Sequence, residues 1–83
     1  MIGEQDLVAP VRRLLIVDDN EAFGEYVRKV AVGVGYDVEV TLNGGTFQAR
    51  YNVFMPTVVV VDLVMPDIDG IELVQWMAVL KSP

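Results

Sequence analysis

The chain has 83 residues and a mass of 9.2 kDa, which leaves room for one small domain at most. Twelve acidic against six basic side chains give a net charge of −6, a poor match for nucleic acid, whose phosphates need a basic face. There is no cysteine and no histidine, which excludes disulfides, thiolate or imidazole metal sites and Ser-His-Asp catalysis.

Apolar residues make up 53% of the chain and mean hydropathy is +0.43, too apolar for a disordered segment. No uninterrupted apolar run approaches the ~18 residues of a membrane span. Met1 to Pro10 carries Glu4 and Asp6 and lacks the basic start and apolar block of a signal peptide. A soluble cytoplasmic chain without membrane contact is expected. Residues 1–11 show no periodicity and read as a flexible lead-in to a domain over residues 12–83.

Leu14-Leu15-Ile16-Val17 is a short aliphatic run closed by Asp18-Asp19-Asn20, the pattern of a strand buried on both faces of a parallel sheet. Asn20 is an N-cap and Glu21 suits the positive end of a helix dipole. Phe23, Val27, Val30, Ala31 and Val34 follow at helical spacing. Gly24 interrupts that helix at a cost of about 1 kcal/mol against alanine. Gly33 and Gly35 stop it, with Gly35 the better left-handed terminator.

Residues 36–41 alternate polar and apolar and read as a half-exposed edge strand. Asn43-Gly44-Gly45 reads as a turn. Phe47, Tyr51 and Phe54 mark a second helix over residues 46–54, stopped by Pro56. Val58 to Val61 is a run of β-branched residues that ends at Asp62 and predicts a third strand. A loop over residues 65–70 leads to a third helix over residues 71–80, with Ile71, Val74, Met77 and Ala78 on one face. The order β-α-β-α-β-α predicts an α/β fold with a parallel sheet and crossover helices. In such sheets ligands bind beyond the carboxyl ends of the strands.

Two strands end in acids there, Asp18-Asp19 and Asp62. If the two strands are neighbours, three carboxylates converge and repel, and burial would raise their pKa values. A divalent cation relieves the repulsion, and an oxygen-only donor set suits Mg²⁺. The chemistry this points to is phosphoryl transfer onto a carboxylate, with Asp62 as nucleophile. Each of these acids also has a plainer reading, since aspartate at a strand end is often a turn former or a helix cap. Asp67 and Asp69 read as turn residues and solvated charges. Phe47, Tyr51 and Phe54 read as core, Arg12-Arg13 as a solvated pair, and Trp76 as packing or surface.

Leu14-Leu15-Ile16-Val17-Asp18-Asp19-Asn20-Glu21, Gly35-Tyr36-Asp37-Val38, Asn43-Gly44 and the run from Val61-Asp62-Leu63-Val64-Met65-Pro66 through Asp67-Ile68-Asp69-Gly70-Ile71-Glu72-Leu73 resemble the receiver domain of two-component response regulators. The resemblance covers about residues 12–81 and implies a flavodoxin-like fold of the CheY type. It implies that Asp62 is the phospho-acceptor. It implies that Asp18, Asp19, Asp62 and the backbone carbonyl of Val64 hold Mg²⁺. A histidine kinase or phosphotransfer protein would be the donor, docking on the first helix near Phe23, Gly24 and Val27. Pro66 presets the loop and Gly70 lets the third helix start close to the strand.

The sequence also departs from the family. Only three of a receiver's five strands are present in these 83 residues. The family's Ser/Thr after the fourth strand and Lys after the fifth have no counterpart, and Lys81 and Ser82 do not stand in for them. Val64 occupies a place that often holds a polar residue, which would alter the dephosphorylation rate. The domain is thus expected to be incomplete at its C-terminus, with the third strand as a bare apolar edge open to self-association. A fragment of a longer chain, an edge-paired or swapped dimer, and a marginal fold are the alternatives.

The sequence does not read as an enzyme. Asp67-x-Asp69-Gly70 lacks the outer acids of an EF-hand loop, and no glycine-rich phosphate loop is present. A phosphatase with an aspartate nucleophile would need a second acid where Val64 stands. The competing reading is a receiver-like protein that acts as an interaction or oligomerisation module without phosphorylation.

Overall fold

The computed structural model describes residues 11–81. All but Val11 of the lead-in assigned to residues 1–11 lies outside them, as do Ser82 and Pro83. The elements are β1 (Arg13–Val17), α1 (Glu21–Gly33), β2 (Asp37–Thr41), α2 (Gly44–Phe54), β3 (Val58–Val61) and α3 (Gly70–Lys81). The three strands form a parallel sheet in the order β2-β1-β3. This is the flavodoxin-like α/β arrangement expected from the sequence.

β1 is central because it is apolar on both faces. Leu15, Ile16 and Val17 are wholly buried and Leu14 nearly so. Full burial of such a side chain contributes about 1.5–3 kcal/mol. On one face Leu14 and Ile16 pack with Ala31 and Val27 of α1 and with Val38, Val40 and Val60. On the other, Leu15 and Val17 pack with Phe47 and Tyr51 of α2 and with Met65 and Leu73. The reversal of strand order at β1 thus puts α1 on one face and α2 with α3 on the other, as right-handed crossovers require.

α1 differs from its expected face. Ala31 is buried and Val27 half-buried, but Phe23, Val30 and Val34 are exposed. The helix rests on the sheet through Gly24, Val27 and Ala31. A methyl on Gly24 would lie 2.8 Å from Val40 Cγ1, so the glycine that weakens the helix also lets it approach β2. Gly35, at φ 97°, terminates the helix as expected. Its amide donates to Val32 O and that of Tyr36 to Ala31 O, both at 3.0 Å, a Schellman motif.

Residues 43–45 are a helix start rather than a free turn. Asn43 caps α2 by accepting from Thr46 N at 2.8 Å, and Gly44 and Gly45 form its first turn. α3 differs again from the expected face. Leu73 is buried, Trp76 and Met77 are half-buried, and Ile71, Val74 and Ala78 are exposed. Trp76 packs edge-on against Tyr51 with ring centroids 5.3 Å apart.

β2 is an edge strand, as its alternation predicts. Glu39 accepts two hydrogen bonds from Arg50 of α2, both at 2.8 Å. The Arg50 guanidinium holds the Glu39 carboxyl below the usual carboxylate range. A depressed carboxyl stabilises the fold above its unfolded pKa, and that gain is lost as pH falls through the folded value. Glu39→Gln should therefore lower the melting temperature slightly at pH 7, with the difference from wild type closing below about pH 4. Both side chains are partly exposed, so the effect stays under about 1 kcal/mol. Melts across pH 3–7 check it.

Candidate functional site

The ladder itself assembles the acidic edge. Val17 is registered opposite Val61, and one residue further on the Asp62 amide donates to Val17 O at 2.9 Å. On the other side the Asp18 amide donates to Thr41 O at 3.1 Å. Asp18 and Asp62 thus leave the sheet side by side, on strands spaced about 4.8 Å apart. Thr41 braces this end from β2, its buried hydroxyl donating to Ile16 O at 2.7 Å.

Asp18, Asp19 and Asp62 each present a carboxylate oxygen, and the three oxygens lie within 4.8 Å of one another. Asp18 and Asp62 are half-buried and Asp19 is exposed. At that spacing each pair of unit charges repels by about 1–3 kcal/mol, depending on how much water screens it. The arrangement fits a hard divalent cation, since the donors are all oxygen and water can complete the coordination.

Each acid is also held by its own loop. Asp18 Oδ1 accepts from Asn20 N at 2.8 Å, and Asp62 Oδ1 accepts from Val64 N at 3.1 Å. Val64 itself is 81% exposed, and the hydrogen bond from its amide to Asp62 places its backbone beside the acids. Met65 turns into the core while Pro66 stays exposed. Gly70 is buried against the end of β3, and a methyl there would collide with the Asp62 carbonyl oxygen. The close approach expected of this glycine is therefore present.

Asp67 is more than a solvated turn residue. Its two carboxylate oxygens accept from Gly44 N and Gly45 N, each at 3.1 Å. The Gly44 amide, then that of Gly45, holds the Asp67 carboxyl below the usual range. Sequence reading missed this bond because it joins residues 22 and 23 positions apart; the one available signal was a Gly-Gly pair whose amides open a helix. Asp69 does act locally, accepting from Ile71 N at 2.9 Å.

Of the three residues expected to meet a partner on α1, only Phe23 is exposed. Gly24 is buried and Val27 is half-buried against the sheet. Tyr26 and Val30 share the exposed face with Phe23. Among the described residues no helix is long and apolar enough to cross a membrane.

An acid cluster at the carboxyl edge of a parallel sheet of order 2-1-3, backed by alternating helices, defines a receiver-type module. The response regulator receiver domain matches residues 14–83, and the chain belongs to that family. It is 36% identical over 63 residues to the transcriptional regulatory protein TrcR of Mycobacterium tuberculosis, covering 76% of this chain and 24% of that protein. It is 33% identical over 63 residues to the DNA-binding dual master transcriptional regulator RpaA of a Synechocystis species, covering 76% of this chain and 26% of that one. The chain thus spans about a quarter of the length of these relatives. Its fold matches the crystal structure of the signal receiver domain of a protein described as a Luxo repressor from Vibrio parahaemolyticus. The TM-score there is 0.78 at 20% identity, over 86% of this chain and 55% of that one.

Proposed function

We propose that this chain is a phosphoryl-accepting module of a two-component phosphorelay, with Asp62 as acceptor. The observation that carries the reading is the convergence of Asp18, Asp19 and Asp62 within 4.8 Å at the sheet's carboxyl edge. Asp18, Asp19, Asp62 and the Val64 carbonyl would hold Mg²⁺. When bound, the ion supplies positive charge to phosphoryl oxygens that three carboxylates would otherwise repel.

A carboxylate oxygen of Asp62 attacks phosphorus on a phosphohistidine of a kinase or phosphotransfer protein. The new P–O bond forms as the P–N bond breaks, and the departing imidazole takes a proton from water. The product is a mixed acyl phosphate on Asp62. The donor docks on the outer face of α1, where Phe23, Tyr26 and Val30 are exposed just beyond the Asn20 cap. With a net charge of −6, this segment is not assigned the DNA contacts of a longer regulator. A cytoplasmic location accompanies the donor class.

The test is incubation of the chain with a small acyl phosphate or a phosphorylated kinase, with Mg²⁺ or with chelator. Mass spectrometry should find one added phosphoryl group, labile to alkali and dependent on Mg²⁺. Asp62→Asn should reduce uptake to background. Uptake that persists in Asp62→Asn would sink the assignment.

A second reading is an interaction or self-association module that does not use phosphorylation. It is favoured by β3, which lies at the edge of the sheet, is built only of valine and leaves Val58 exposed. Sedimentation separates the two. A stable oligomer that takes no phosphoryl group with Asp62 intact would favour the second.

A further inference from the structure

A helix cannot satisfy its own first amides. In α2, the Asn43 side chain takes one of them, accepting from Thr46 N, while the Asn43 carbonyl accepts the first regular helical bond, from Phe47 N. The first two helical amides, on Gly44 and Gly45, are taken by Asp67 from the loop between β3 and α3. A carboxylate suits this place twice over, through charge-assisted bonds and through the positive end of the helix dipole.

The chain has made room for this bond. Ile68 sits where a side chain on Gly44 would begin, so only glycine lets the loop lie against the helix start. The clamped residue stands three positions after Val64 and two before Asp69, which opens α3. Between Asp62 and Gly70 the loop has few other anchors: the Val64 amide on Asp62, the Gly70 amide on Leu63 O at 3.3 Å, the Met65 side chain in the core, and Ile68 packed against it.

We propose that Asp67 is a positioning residue: by clamping the Gly44 and Gly45 amides, it fixes the loop that carries the Val64 backbone and closes on Asp62, and so sets the cation dependence of phosphoryl uptake. The inference rests on the phospho-acceptor reading above. Asp67 touches neither the phosphoryl group nor the cation. It acts through the loop backbone, as groups outside a metal's own ligands commonly do.

The experiment measures the rate of phosphoryl uptake from a small acyl phosphate against Mg²⁺ concentration, on the full chain. It uses wild type, Asp67→Ala and Asp67→Asn, well below each melting temperature. Asp67→Ala should move the Mg²⁺ half-saturation point upward by roughly 10-fold. Asp67→Asn keeps one acceptor oxygen and should fall between. Well below the melting temperature nearly every molecule is folded, so lost stability leaves that midpoint in place and a shift reports the site rather than the fold. A wild-type midpoint in Asp67→Ala overturns the inference and leaves the acceptor reading intact. Should Asp67→Ala fail to fold, Asp67→Asn decides by the same midpoint. A wild-type chain that takes up no phosphoryl group overturns the acceptor reading, and this inference falls with it.

Discussion

Wild-type chain given Mg²⁺ with beryllofluoride, a phosphoryl mimic, should melt on the order of 10 °C higher than the chain alone, and Asp62→Asn should not respond. The size follows from mass action. A ligand that binds only the folded state, at about 100 times its dissociation constant, adds about 2.7 kcal/mol. A domain of this size gains roughly 4–8 °C per kcal/mol. Without ligand the order should reverse. Asp62→Asn removes one of three charges whose oxygens lie within 4.8 Å, and it keeps an oxygen to accept from Val64 N. The relieved repulsion, on the order of 1 kcal/mol for partly exposed groups, should make the ligand-free variant the more stable protein. General damage to the fold cannot produce both signs. A variant less stable than wild type without ligand would mean that the three carboxylates are too well solvated to repel.

The strands, the acid site and the core face of α2, with Phe47, Tyr51 and Phe54, were readable in the sequence, whereas the faces of α1 and α3 were not. Leu14-Leu15-Ile16-Val17 and the valines of β3 carry their own message, since apolar runs bounded by acids have few other homes than a central parallel ladder. Once those strands are neighbours, Asp18 and Asp62 must emerge together. α1 misled because its contact face is built on Gly24 and Ala31, small residues that add little to an apolar stripe. The larger Phe23, Val30 and Val34 kept the helical period but face outward. α3 is apolar nearly all round, broken only by Glu72, Gln75 and Lys81, so its period could not choose a face. Packing of Leu73 into the core and Trp76 on Tyr51 chose it. The Asp67 clamp belongs to the same class, fixed by tertiary approach and invisible to local pattern.

Gly70→Ala should destabilise the chain by about 2–3 kcal/mol and slow phosphoryl uptake with it. The added Cβ would collide with the Asp62 carbonyl oxygen and lie 2.5 Å from Leu63 Cα and 2.9 Å from the Asp62 carbonyl carbon. These are backbone atoms at a strand end and cannot rotate aside. Either the first turn of α3 must lift, straining the 3.3 Å bond from Gly70 N to Leu63 O, or the end of β3 must shift. Overpacking of this kind costs roughly 1–3 kcal/mol, and rigid neighbours place it at the upper end. Gly33→Ala is the matched control. Nothing lies within 4 Å of its added methyl, and helix propensity favours alanine by up to about 1 kcal/mol. Urea unfolding should show opposite shifts in midpoint at unchanged slope. Uptake should fall only in Gly70→Ala, because the atoms it displaces carry Asp62. A wild-type unfolding midpoint in Gly70→Ala would mean that α3 does not rest on the end of β3. Lost stability with wild-type uptake would mean that the acceptor's position is set by the β1–β3 ladder alone.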